Sequence, residues 1–106
     1  MSQRDLKRSR MSLTQALTRS YSARNRNDPD GRAVAEHLGA AELRLRDGGR
    51  EDLGYRLSEL RESLLSGDVS EFHSVVTQIR EDVDELIPLL SRSDVNARLV
   101  STSVRH

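Results

Sequence analysis

The chain has 106 residues, no cysteine, three aromatic residues, and 17 basic against 17 acidic side chains. This composition excludes a disulfide framework, a thiol nucleophile and a thiolate metal site, and no apolar run approaches the ~20 residues that cross a bilayer. We therefore expect one small, soluble, cytoplasmic domain whose core consists mainly of Leu and Val.

The basic residues are concentrated near the N-terminus. Residues 1–26 carry seven basic residues and one acidic residue, a net charge of +6, so residues 27–106 carry −6. Sixteen of the 17 basic residues are Arg, whose planar guanidinium binds phosphate and carboxylate through two parallel hydrogen bonds. The chain is thus predicted to be a basic N-terminal segment attached to an acidic body.

The first helix is predicted over about residues 12–23. Ser12 and Gln15 have the spacing of a capping box, and three apolar residues share one face: Leu13, Leu17 and Tyr21. Residues 1–11 show no helical period, so we predict a flexible basic arm there, before a helical domain over 12–91.

The second helix is predicted over 29–46, with Asp28 as its N-cap and Pro29 in its first turn. Its apolar stripe is Val34, Leu38, Ala41 and Leu45. Gly48 and Gly49 end it. The third helix is predicted over 51–65, with the stripe Leu53, Leu57, Leu60 and Leu64.

The last helix is predicted over 69–87 and has the most regular stripe in the chain. Its apolar residues are spaced by 4, 3, 4, 3 and 4 positions: Phe72, Val76, Ile79, Val83, Leu86 and Leu90. Asp68 and Glu71 are spaced as a capping box. Pro88 lacks an amide hydrogen, so the helix either stops near Ile87 or kinks and runs on to about Leu90.

These segments predict an all-α fold: a small antiparallel bundle of three core helices plus a probable N-terminal helix, dimeric because the core is thin. No segment alternates as a strand would. Residues 92–106 are polar and without a period, and we predict a flexible tail there.

We expect no enzymatic activity, no cofactor and no metal ion. The three histidines are His37, His73 and His106, and no two of them are four residues apart, as a helical zinc pair requires. Glu81 and Glu85 share a helix face, which we interpret as a solvated outer surface rather than an acid–base pair. No serine stands in a nucleophile elbow.

Two non-catalytic functions remain. The first is self-association as a protein-interaction module, most simply as a homodimer, through the regular stripe of the last helix; the alternative is that this stripe only forms the core of a monomer. The association surface is predicted to comprise Phe72, Val76, Ile79, Val83 and Leu86.

The second function is binding of a nucleic acid through arginines. The candidate polyanion-binding residues are Arg8, Arg10, Arg19, Arg24, Arg26, Arg44, Arg46 and Arg50. Tyr21 is the one aromatic residue between Arg8 and Arg50, and this scarcity favours the backbone of duplex RNA or DNA, RNA first, over stacking on single strands. The alternative is a solubilising basic tail.

In length, neutral charge, helical pattern and polar tail the chain resembles the small dimeric silencing suppressors of insect nodaviruses. No motif of that family matches residue by residue, so the resemblance assigns no residue a role.

Overall fold

The computed structural model describes residues 2–91, which form four α-helices and one short 3-10 turn. The elements in chain order are α1 Gln3–Ser20, α2 Pro29–Asp47, α3 Glu51–Ser66, the 3-10 turn Val69–Glu71, and α4 Phe72–Ser91. Residues 2–91 contain no strand, which confirms the all-α class. The tail predicted over 92–106 lies outside the described residues.

The predicted bounds of α2 and α3 are confirmed to within one residue. Asp28 is the N-cap of α2, and its Oδ1 accepts a hydrogen bond from the Gly31 amide at 2.6 Å. Between the two helices Gly49 has φ 87°, in the left-handed region that favours glycine. Local signals alone therefore define this helix pair.

The predicted start of the first helix is wrong. α1 begins at Gln3 rather than Ser12, so residues 3–11, expected to be a flexible arm, are helical. Ser2 caps the helix, because its Oγ accepts a hydrogen bond from the Asp5 amide at 3.1 Å. Leu6, one turn further on, is buried and holds this end of α1 against the core.

The buried face of α1 also differs from the prediction. Tyr21, placed on the apolar face by its spacing, lies just after the helix and is 64% exposed. The positions that are buried on α1 alternate between apolar and small residues: Leu6, Ser9, Leu13, Ala16 and Ser20. Because two of these five residues are serines, the sequence shows no continuous apolar stripe at the buried positions of α1.

α4 begins and ends later than predicted. Residues 69–71 form a 3-10 turn, in which the Glu71 amide donates to the Asp68 carbonyl oxygen at 3.0 Å, and the α-helix starts at Phe72. Of the two outcomes left open at Pro88, the helix runs on, and it continues to Ser91 with Pro88 inside it.

The core combines apolar side chains from all four helices into one cluster. α1 packs extensively against α2 and α4, and α2 packs against α3, whereas α3 and α4 approach each other at fewer points. None of the described helices is both long and apolar enough to cross a membrane.

Candidate interaction surfaces

The five residues predicted to form the association surface lie inside the single chain. Phe72, Val76, Ile79, Val83 and Leu86 are each at most 6% exposed. Their neighbours are the other helices of the same chain. A second copy cannot reach these side chains while the fold is closed, so self-association, which stays a prediction, requires another surface.

An exposed apolar surface lies along the contact between α2 and α3. We call it the α2–α3 face and define it by Leu43, Arg46, Glu51 and Tyr55. Leu43 and Tyr55 are each 62% exposed, although both are large and apolar in their bulk. Arg46, Glu51 and Tyr55 line a shallow cavity of about 310 Å³.

A glycine brings the two helices of this face close together. A Cβ atom added to Gly54 would lie 2.6 Å from Cγ of Arg46 and 3.4 Å from the carbonyl oxygen of Glu42. Leu43 follows Glu42, and Tyr55 follows Gly54, so each lies one residue beyond this close approach. Because successive residues of a helix turn by about 100°, both side chains point outward beside the contact.

Ion pairs fix Arg46 within the face. Glu42, whose side chain is only 12% exposed, forms ion pairs with Nε of Arg46 at 3.3 Å and with Nη2 of Arg61 at 3.1 Å. Glu42 therefore links its own helix to α3 and holds the Arg46 guanidinium beside Tyr55. Glu51, at the other side of the cavity, is exposed.

Most of the arginines predicted to bind a polyanion have partners within the chain. Nη1 of Arg26 donates to the Leu65 carbonyl oxygen at 3.2 Å. Three others form ion pairs: Arg19 with Asp30 at 2.7 Å, Arg46 with Glu42 at 3.3 Å, and Arg50 with Asp52 at 3.2 Å. Arg10 is half-buried on α1, and Arg24 is exposed in the connection to α2.

Arg56, on α3, also forms ion pairs within the chain. Nη2 of Arg56 donates to Asp82 at 3.2 Å and to Glu85 at 3.1 Å, which joins α3 to α4. Burial lowers the pKa of Arg56, but its hydrogen bonds to the two carboxylates outweigh this and raise the pKa. Arg56 therefore works as a link between helices.

Two of the candidate arginines meet in a cleft between α1 and α2. The α1–α2 cleft has a volume of about 210 Å³ and is lined by Arg8, Met11, Ser12, Gln15, His37 and Arg44. None of these six residues is acidic. Nη1 of Arg44 donates to Oγ of Ser12 at 2.9 Å, a neutral partner that positions the guanidinium without offsetting its charge.

The two described histidines lie on different helices. His37 lines the α1–α2 cleft, and His73 is exposed on α4. Within residues 2–91, no group of three or more His, Asp or Glu side chains could hold a metal ion.

Comparison with known proteins finds no matching family model, no matching curated protein and no matching solved structure.

Proposed function

We propose that the protein is a non-catalytic interaction module, an antiparallel helical bundle whose copies associate through the α2–α3 face. The observation that carries this proposal is that Leu43 and Tyr55 are both exposed, each one residue along its helix from the close approach of Gly54 to Glu42 and Arg46. Large apolar side chains that remain in solvent and lie together mark interaction sites more often than isolated ones do.

The composition of the face supports a second copy as the partner. Tyr and Arg are the residues that most often dominate binding energy at interfaces. In a two-fold dimer each residue of the face meets a residue of the same face, so Arg46 of one copy can lie opposite Glu51 of the other. A face with both an apolar centre and both charge signs is complementary to itself.

Sedimentation velocity across a wide concentration series tests this proposal. We expect the wild-type chain to shift from 12.0 kDa towards twice that mass as concentration rises. Leu43→Glu places a charge at the centre of the face and should hold the chain at 12.0 kDa. Leu89→Glu is the matched control, because Leu89 is also exposed but lies on α4.

A wild-type chain that stays at 12.0 kDa at every concentration would contradict self-association. Loss of association in Leu89→Glu but not in Leu43→Glu would place the contact on α4 instead. Circular dichroism of each variant establishes that the helices are retained.

A further inference from the structure

We propose that the α1–α2 cleft binds the phosphate groups of a duplex nucleic-acid backbone, with Arg8 and Arg44 as the principal contacts. The proposal does not depend on self-association, since neither arginine belongs to the α2–α3 face. The cleft is an assembled feature: Arg8 comes from α1 and Arg44 from α2, 36 positions later in the sequence.

The charge of the cleft is local. Residues 2–91 carry 14 basic and 16 acidic side chains, so the described body as a whole does not attract a polyanion. α1 alone carries five basic residues and one acidic residue. Because salt screens charges beyond about 10 Å at 0.1 M, a phosphate in the cleft responds mainly to nearby charges, and the charged residues that line the cleft are Arg8 and Arg44.

Arg44 is positioned for an anion before any ligand arrives. A guanidinium has five N–H donors, and the Ser12 hydroxyl takes only one of them. The remaining donors are available for the forked hydrogen bonding that phosphate oxygens accept. Gln15 and His37, which line the same cleft, add an amide and a ring N–H as further donors.

The contrast with the other candidate arginines supports this assignment. Arg19, Arg46 and Arg50 each have a carboxylate within 3.3 Å, so a phosphate would have to displace an existing ion pair. Within residues 2–91 the side chain of Arg44 has one hydrogen-bond partner, the neutral Ser12 hydroxyl. A phosphate should therefore bind most favourably at Arg44, whose guanidinium is held in place by a hydroxyl and is not neutralised by a carboxylate.

The lining of the cleft favours a duplex over a single strand. Proteins that hold single strands without sequence preference stack the bases on aromatic side chains. The cleft has none: its apolar residue is Met11. Contacts to phosphate groups alone suit a duplex, whose bases are already stacked on one another.

Fluorescence anisotropy with labelled duplex RNA, duplex DNA and single-stranded RNA tests the proposal at several salt concentrations between about 50 and 200 mM. The probe variant is Arg8→Gln with Arg44→Gln. The matched control is Arg24→Gln with Arg32→Gln, which removes the same charge from two exposed arginines outside the cleft.

We expect the wild-type chain to bind both duplexes more tightly than the single strand. The slope of log K against log salt concentration should fall in magnitude by about 2 in the cleft variant, which is one unit for each lost phosphate contact. The slope should stay unchanged in the control. Arg8→Lys with Arg44→Lys keeps the charge and should retain most of that slope. Leu43→Gln, outside the cleft and without added charge, should bind as the wild type does.

Absence of binding to any duplex at about 50 mM salt would overturn the proposal. Equal losses in the cleft variant and the control would also overturn it, because they would show diffuse attraction rather than a site. Tighter binding of the single strand would reject the duplex as the ligand. None of these outcomes bears on whether the chain self-associates.

Discussion

Two serines on α1 are completely buried, and their surroundings differ. Oγ of Ser20 donates to the Leu17 carbonyl oxygen at 2.6 Å and accepts from Nε of Arg80 at 3.1 Å. Oγ of Ser9 has no hydrogen-bond partner among residues 2–91. A hydroxyl that loses water without gaining a partner destabilises the folded state by about 1–3 kcal/mol, whereas a satisfied one does not.

We therefore predict opposite effects for the same substitution at the two sites. Ser9→Ala should raise the free energy of unfolding by about 1 kcal/mol, because it removes an unsatisfied polar atom. Ser20→Ala should lower it by about 1–2 kcal/mol, because Arg80 loses an acceptor. Urea unfolding followed by circular dichroism measures both. A loss of stability in Ser9→Ala would mean that its hydroxyl has a partner.

The N-cap Asp28 makes part of the stability of the fold depend on pH. Hydrogen bonds from the Gly31 and Arg24 amides, opposed by a smaller effect of burial and helped by the Asn25 amide, lower the pKa of Asp28 below its ordinary value of 3.8. A lowered folded-state pKa means that the carboxylate stabilises the protein above the unfolded pKa. That contribution to stability is lost as pH falls through the pKa of Asp28 in the folded state.

We expect Asp28→Asn to be less stable than the wild type at neutral pH. Asparagine offers one acceptor oxygen, whereas Oδ1 and Oδ2 of Asp28 both accept amide hydrogens. The difference in stability between the two proteins should shrink as pH falls from about 5 towards 2. Thermal unfolding across this range measures it, and a difference that stays constant with pH would contradict the role of the charge.

At the scale of the helices, two glycines of α2 sit in opposite environments. A Cβ atom added to Gly39 would make ordinary contact with Cδ of Arg61 at 3.6 Å. One added to Gly31 would collide with the backbone carbonyl oxygen of Asn25, which cannot move aside as a side chain can. Alanine is a better helix former than glycine by about 1 kcal/mol, so space decides the sign of each substitution.

Gly39→Ala should accordingly raise the free energy of unfolding by up to about 1 kcal/mol. Gly31→Ala should lower it by about 1–3 kcal/mol, the usual effect of overpacking, although both changes raise helix propensity. Chemical unfolding of the two variants side by side measures this. Equal effects would show that propensity alone governs α2.

The helices differ in how far their sequences predict them. α2 and α3 have unbroken apolar stripes, Asp28 caps α2, and the bounds of both helices follow from the sequence. The buried face of α1 does not follow from its sequence, because Ser9 and Ser20 occupy buried positions and only Ser20 gains a tertiary partner there. Nη2 of Arg80 donates to the Ser20 carbonyl oxygen at 2.7 Å, and its Cζ lies 4.4 Å from the Tyr21 ring centroid. No local pattern reveals a partner 60 residues away.

At the scale of the whole molecule, an apolar stripe identifies a buried face but not what buries it. The stripe of α4 has the same spacing whether a helix of its own chain or of a second copy covers it. The residues that define the proposed association surface lie outside the stripes. Leu43 and Tyr55 are large residues at positions that the core stripes of α2 and α3 do not include. The α1–α2 cleft could not be predicted from the sequence, because Arg8 and Arg44 come together only in the folded chain.

The distinction between core and face gives a last prediction, on how stability depends on protein concentration. Leu86, 1% exposed, belongs to the core, so Leu86→Ala should lower the free energy of unfolding by about 2–5 kcal/mol at every concentration. Leu43→Glu should leave the melting temperature of the dilute protein nearly unchanged.

Association stabilises only the folded state, and so the wild-type melting temperature should rise with concentration. Leu43→Glu should abolish this rise, whereas Leu86→Ala should keep it while melting at lower temperatures throughout. Differential scanning calorimetry at several concentrations measures both quantities in one experiment. If the rise persists in Leu43→Glu, a surface other than the α2–α3 face joins the copies; if the wild type shows no rise, the folded chain gains nothing from a second copy.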